Sequence, residues 1–157
     1  MAGKVLLGIS PGTRVVGLAV LHKGELVEWK VKTFKEMWSV GKRKSILATI
    51  DRICDYYAVA VVSIKKIDPF RSSPQLDALI TAIVKQAEKN RLKVQLYSLS
   101  DLDYDIQTGK KKDTLSEQVA TRHPMLRQTY LRERNNRAEY YTKMFEAIAM
   151  AEQAKDY

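Results

Sequence analysis

The side chains most able to do chemistry in this sequence are its bases. Between Lys110 and Lys143 nine of them, Lys110, Lys111, Lys112, Arg122, Arg127, Arg132, Arg134, Arg137 and Lys143, meet four acids, Asp113, Glu117, Glu133 and Glu139, a local excess of five positive charges. A second group, Lys30, Lys32, Lys35, Lys42, Arg43 and Lys44, is offset by Glu36 alone. Cations at this density suit phosphate backbones, because each neutralised phosphate releases condensed counterions. Tyr130, Tyr140 and Tyr141 beside the arginines offer rings for stacking unpaired bases, a contact of ~1–3 kcal/mol per base. Tyr141 also fits the apolar face of a helix, where it would be core. Nucleophilic and metal chemistry have less to build on: no histidine base stands near Ser10 in sequence. His22 and His123 lack ligand spacing and are expected at the surface, and the single Cys54 excludes an intramolecular disulfide or a cysteine zinc site.

The chain has 157 residues, and 27 Lys and Arg against 18 Asp and Glu give a net charge of +9. At 45% hydrophobic and 29% charged residues it is too apolar for a disordered chain and lacks the composition of collagen-like or disulfide-framework proteins. One domain spanning 1–157 is expected, since a chain of this size buries roughly 68–70% of its unfolded surface without a staple. The apolar stretch from Val5 to Ile9 is too short for a signal peptide and no window approaches the roughly 20 residues of a membrane span, so a cytoplasmic protein without a membrane partner is expected.

The elements that must carry the bases follow from periodicity. Lys4–Ser10 and Arg14–Leu21 are runs rich in Val, Leu and Ile separated by Pro11-Gly12-Thr13, which reads as strand, turn, antiparallel strand. After Lys23-Gly24, residues Glu25–Val31 alternate with a period of two, giving a third strand. Val40–Tyr57 carries Ile46, Leu47, Ile50 and Ile53 at helical spacing, and Ala58–Ile64 is an apolar β-branched run with almost no alternation, the pattern of a strand covered on both faces. Ser72-Ser73-Pro74 caps a helix running to about Asn90, and Leu92–Leu99 reads as a fifth strand. Asp101–Lys112 is a loop by composition, Asp113–His123 a short helix, Leu126–Arg137 ambiguous between helix and loop, and Arg137–Lys155 a closing helix. The order β-β-β-α-β-α-β-α-α, with right-handed crossovers, gives an α/β fold: a mixed five-stranded sheet with strands one, four and five parallel and helices on both faces.

The segment Gly8-Ile9-Ser10-Pro11-Gly12-Thr13-Arg14-Val15-Val16-Gly17 resembles the first hairpin of the RuvC-type Holliday-junction resolvases, which have a ribonuclease H-like fold and read Gly-Ile-Asp-Pro-Gly-Ser/Thr-Arg, an apolar pair and Gly. The element order of nearly the whole chain is similar too. The resemblance implies four carboxylates holding two Mg²⁺ ions about a scissile phosphate. Carried onto this sequence, the first falls on Ser10, the second on Ser63 or, one side-chain period further, on Lys65, and the pair from the closing helix on Lys143 and Glu146. Glu146 alone keeps the acid; away from that role it reads as a solvated charge. A lysine in such a cage adds the wrong charge and has no lone pair to donate.

A nucleic-acid-binding protein without metal-dependent cleavage is therefore expected, with DNA favoured over RNA and no cofactor. The phosphate contacts are assigned to Arg14, Lys110, Lys111, Lys112, Arg122, Arg127, Arg132, Arg134, Arg137 and Lys143. Similar resolvases act as homodimers on a two-fold symmetric junction, which makes a second copy a candidate partner. The alternatives are an active Mg²⁺-dependent nuclease with a site relocated onto Asp68, Asp113, Glu117 or Glu139, and an interaction scaffold whose bases meet an acidic protein. Nucleotide binding in the manner of the actin and sugar-kinase folds is disfavoured, because it needs two lobes and an aspartate at Ser10.

Overall fold

A computed structural model describes residues 4–102, 114–135 and 141–154. Val5–Ser10 (β1) and Val15–His22 (β2) pair antiparallel with Ser10 opposite Gly17, and Glu25–Thr33 (β3) completes the meander. Lys23 and Gly24 both take positive φ in the tight turn between β2 and β3, as a two-residue hairpin matched to the twist of its strands requires. Val59–Lys65 (β4) and Lys93–Tyr97 (β5) add to β1 in parallel, giving the order β3-β2-β1-β4-β5. The five-stranded mixed sheet and its parallel set are as the sequence predicts.

Two helices lie on one face, and a third with two shorter ones beside it on the other. Val40–Tyr57 (α1) starts at Ser39, whose hydroxyl accepts from the Lys42 amide, and Pro74–Lys89 (α2) starts at Ser73, which accepts from the Leu76 amide with Pro74 in the first turn. Their Ile46, Ile50, Ile53, Leu79 and Ile83 pack on Leu7, Ile9, Val16, Leu18, Val20, Val62 and Ile64. The alternate strand residues Leu6, Ala19, Leu21, Leu26, Trp29 and Val31 turn to the other face, against Thr142–Gln153 (α5). Thr114–Arg122 (α3) and Arg127–Asn135 (α4) flank α5. The segment that was ambiguous in sequence is thus a short 3₁₀ turn over Pro124–Leu126 followed by helix, fixed by the burial of Leu126 and Tyr130 in the α5-side core.

α5 lies unusually close to the sheet, and glycine is the reason. A Cβ on Gly8 would stand 1.9 Å from the Ala147 carbonyl oxygen, and one on Gly17 2.0 Å from that of Lys143. Among the described residues no helix is long and apolar enough to cross a membrane.

Candidate functional site

The close approach brings the first turns of α5 onto the carboxyl ends of β1 and β4. Glu133 of α4 accepts from the Tyr141 amide (2.5 Å) and the Thr142 hydroxyl (3.0 Å), so an acid satisfies the positive amino end of α5 and fixes its start. Lys143 and Glu146, three residues apart, then share the helix face turned to the strands. Ser10 ends β1 fully buried and donates its hydroxyl to Glu146 Oε1 at 2.8 Å. Lys65 ends β4 and brings its Nζ to 2.7 Å from Glu146 Oε2, with side chains 16% and 10% exposed. Lys143 extends past Gly12, where a Cβ would meet its stem, and donates to the Pro11 carbonyl oxygen at 3.0 Å. Burial holds the Lys143 pKa below the ordinary lysine range; Glu146 opposes the shift and Lys65 adds to it.

Of the two positions that the sequence left open on β4, Lys65 is the one that reaches Glu146. Ser63 faces Gly8 across the parallel pair, one side-chain period behind Lys65, fully buried and with no hydrogen-bond partner for its hydroxyl among the described residues. A glutamate at Ser63 would lie under α5 rather than at the strand end.

Beyond Lys65 and Lys143 a cavity of about 580 Å³ opens at the carboxyl edge of the parallel strands, where open α/β sheets take their ligands. Lys65, Lys66, Arg71 and Lys143 line it, with Asp68 and Ser98. Asp68 is already engaged, accepting from the Phe70 amide at 3.0 Å. Sequence reasoning missed Lys66 and Arg71; the signal was available, two lysines directly after an apolar strand.

Other expected positions fall elsewhere. Arg122 pairs with Glu152 at 3.0 Å, and His123, expected at the surface, is 12% exposed in its side chain with Nε2 2.8 Å from the same Glu152. Arg14, Arg127 and Arg132 are exposed, and none of them lines the cavity. Lys110, Lys111, Lys112, Arg137, Asp113, Glu139 and Tyr140 lie outside the described residues, as does the side chain of Arg134. Glu117 is exposed on α3. Tyr130 is not a stacking surface but a core residue, edge-on to Phe145 with ring centres 6.4 Å apart, and Tyr141 packs against the same core.

Neither a family model nor a curated protein sequence matches the chain. Solved structures do. Thermus thermophilus RuvC matches with a TM-score of 0.69 and 16% identity over 94% of this chain and 90% of that one. Its complex with a Holliday junction substrate gives 0.63 at the same identity and coverage. Fowlpox virus resolvase, solved with Holliday junction DNA, gives 0.56 and 13% over 94% of this chain and 93% of that one. The chain has the RuvC-type resolvase fold. At these identities the likeness is one of fold, and the chemistry is decided by the residues that this chain carries.

Those residues do not fit the Mg²⁺ pair that the resemblance implies. Among the described residues the cluster at the ends of β1 and β4 offers one carboxylate, Glu146, with each oxygen engaged by a donor of the chain itself, and two ammonium groups without a lone pair. Among the described residues no three His, Cys, Asp or Glu are grouped so as to hold a metal ion. What the arrangement can do is present fixed positive charge to an anion. Lys65 is oriented by Glu146 and Lys143 by the Pro11 carbonyl, and Lys65, Lys143 and two further cations line the open cavity.

Proposed function

We propose that this RuvC-type domain binds nucleic acid at the carboxyl edge of β1 and β4, with branched DNA preferred over linear duplex and over RNA, and that it does not cleave its ligand through divalent cations. The observation that carries the reading is the Lys65–Glu146–Ser10 network: a side-chain ammonium holds the Glu146 carboxylate at 2.7 Å. Lys65, Lys66 and Lys143 receive backbone phosphates as point charges and Arg71 through its guanidinium fork, and no proton or metal need be exchanged for that. The net charge of +9 and the basic stretch from Lys110 to Lys143 extend the attraction beyond the cavity. The Holliday junction DNA bound to two of the fold's neighbours supports a branched ligand.

Fluorescence anisotropy with a labelled four-way junction, in EDTA and in Mg²⁺ or Mn²⁺, tests the reading, with strand integrity followed on denaturing gels. The expected result is metal-independent binding, intact strands, and log K falling against log salt with a slope of roughly −4 to −5 for about six phosphates. Cleavage in Mg²⁺ or Mn²⁺ that Glu146→Ala abolishes overturns the non-cleaving half. A flat salt response, or no binding at low salt, overturns the whole.

A further inference from the structure

On the other side of the sheet the same alternation leaves a second basic surface. Glu28, Lys30 and Lys32 of β3 stand opposite Val20, Leu18 and Val16 of β2, and those three valine and leucine side chains belong to the α1-side core. Glu28, Lys30 and Lys32 therefore face the α1 layer as well. α1 covers the inner strands and stops short of this edge, which opens a groove of about 610 Å³ between helix and strand. Lys30 and Lys32 form one side of it; Arg52, Tyr56 and Tyr57 of α1 form the other.

Two features separate the groove from an ordinary charged edge. Lysines on an edge strand are a common guard against strand pairing, and that accounts for Lys30 and Lys32. It does not account for Tyr56, 82% exposed on the last turn of α1, nor for Arg52 one turn before it. The last turn is also held in place. Ala58 closes it in the left-handed region (φ 52°, ψ 51°), with its amide turned back to Cys54 and Asp55, and the rings of Tyr56 and Tyr57 meet edge to face at 4.8 Å. Glu28 pairs with Lys30 at 3.3 Å, so the acid of the groove is engaged by its own neighbour. Lys32 has no ion pair among the described residues, and Arg52 makes only a long contact to the Thr49 hydroxyl at 3.4 Å.

An exposed, pre-oriented aromatic ring flanked by uncommitted cations is the footprint of single-stranded nucleic acid, in which a base stacks and its phosphates meet the charges. We propose that the β3/α1 groove is a second site, taking unpaired nucleotides with one base on the Tyr56 ring and adjoining phosphates at Lys32 and Arg52. It lies on the opposite layer of the sheet from Lys65, Lys143 and Glu146 and does not depend on what they bind.

The test uses the whole chain and two labelled probes, a short oligothymidylate and the four-way junction, with Tyr56→Ala, Tyr56→Phe and Lys32→Glu/Arg52→Glu. Tyr56 is exposed, so the substitutions are expected to leave the far-ultraviolet circular dichroism unchanged. Tyr56→Ala is expected to weaken oligothymidylate binding roughly tenfold, Tyr56→Phe to restore it, and the charge reversal to flatten the salt slope by about 2. Junction binding at the carboxyl edge should change less than twofold in Tyr56→Ala. Oligothymidylate affinity that is unchanged in Tyr56→Ala, or equally weakened in Tyr56→Ala and Tyr56→Phe, overturns the stacking site. So does polyglutamate that competes with the oligonucleotide as well as unlabelled DNA does. Failure of the wild-type chain to bind oligothymidylate while it binds the junction sinks this site alone; the converse sinks only the proposed function.

Discussion

The two faces of the one sheet are packed by different means. Toward α1 and α2, strand residues Leu7, Ile9, Val16, Leu18, Val62 and Ile64 interdigitate with isoleucines and leucines of the helices, and the layers are held by volume. Toward α5, the same strands present Gly8, Ser10, Gly17 and Ser63, and the helix backbone comes down almost onto the strands. The first arrangement makes a core. The second makes a core with a polar end, because side chains small enough to admit the helix also bring the charges of its first two turns, Lys143 and Glu146, against Ser10 and Lys65.

The largest effect that sets the faces apart is steric. Gly8→Val places its Cβ against a helix carbonyl that cannot move without lifting α5, so it is expected to cost about 3 kcal/mol or more. Ile9→Val, the next residue but on the volume-packed face, is expected to cost about 0.5–1.5 kcal/mol. Urea unfolding of the two variants makes the comparison. Equal losses would mean that α5 yields and that the closeness is not a constraint on the site.

The next effect is electrostatic. Lys65→Met leaves the Glu146 carboxylate buried with only Ser10 as donor; breaking a buried pair from one side costs about 3–5 kcal/mol, and the residual exposure of this pair brings the expected loss nearer 2. Lys65→Met with Glu146→Leu is expected to recover to within about 1 kcal/mol of the wild-type chain, since the desolvation of two charges disappears with the pair. A double-mutant cycle in thermal or urea unfolding reads this directly. A double variant less stable than either single one would show that the network is worth more than its desolvation, and the polar end of the α5 face would then be a source of stability.

The contrast between the faces also explains what could be read from the sequence. α1 over Val40–Tyr57 and α2 after Ser73-Pro74 follow from spacing and caps within a few residues of each other. β4 shows as an apolar run with almost no alternation because both its faces are covered. The site depends instead on partners far apart in the chain: Ser10 lies 136 residues from Glu146, and Lys65 81 residues from it. Ser63 and Lys65 share a strand face, so a period of two could not choose between them; the register against Gly8 and the point where α5 begins make the choice. The tyrosines misled for the same reason. Tyr130 stands among arginines in sequence but turns inward with Leu126 once that segment is helical, whereas Tyr56 is exposed because α1 stops short of β3, a property of layer width that no local pattern carries.

The smallest effect concerns Lys143 and is separated from the others by its pH dependence. Burial lowers its pKa in the folded chain, so below the ordinary value of 10.5 the unfolded chain holds the proton more tightly than the folded one. Stability therefore rises as the pH climbs through the lowered folded value toward 10.5, and at neutral pH the charged ammonium works against folding. Lys143→Met removes that titration. It also removes the donor to the Pro11 carbonyl oxygen, but an uncharged amine keeps that hydrogen bond, so its loss is a constant offset. The difference in melting temperature between Lys143→Met and the wild-type chain is thus expected to move in favour of the wild-type chain over the range in which the pH approaches 10.5 from below, whatever its starting sign. A difference that stays level across that range would mean that Lys143 is as well solvated folded as unfolded, and that the polar end of the α5 face is open to water rather than closed beneath the helix.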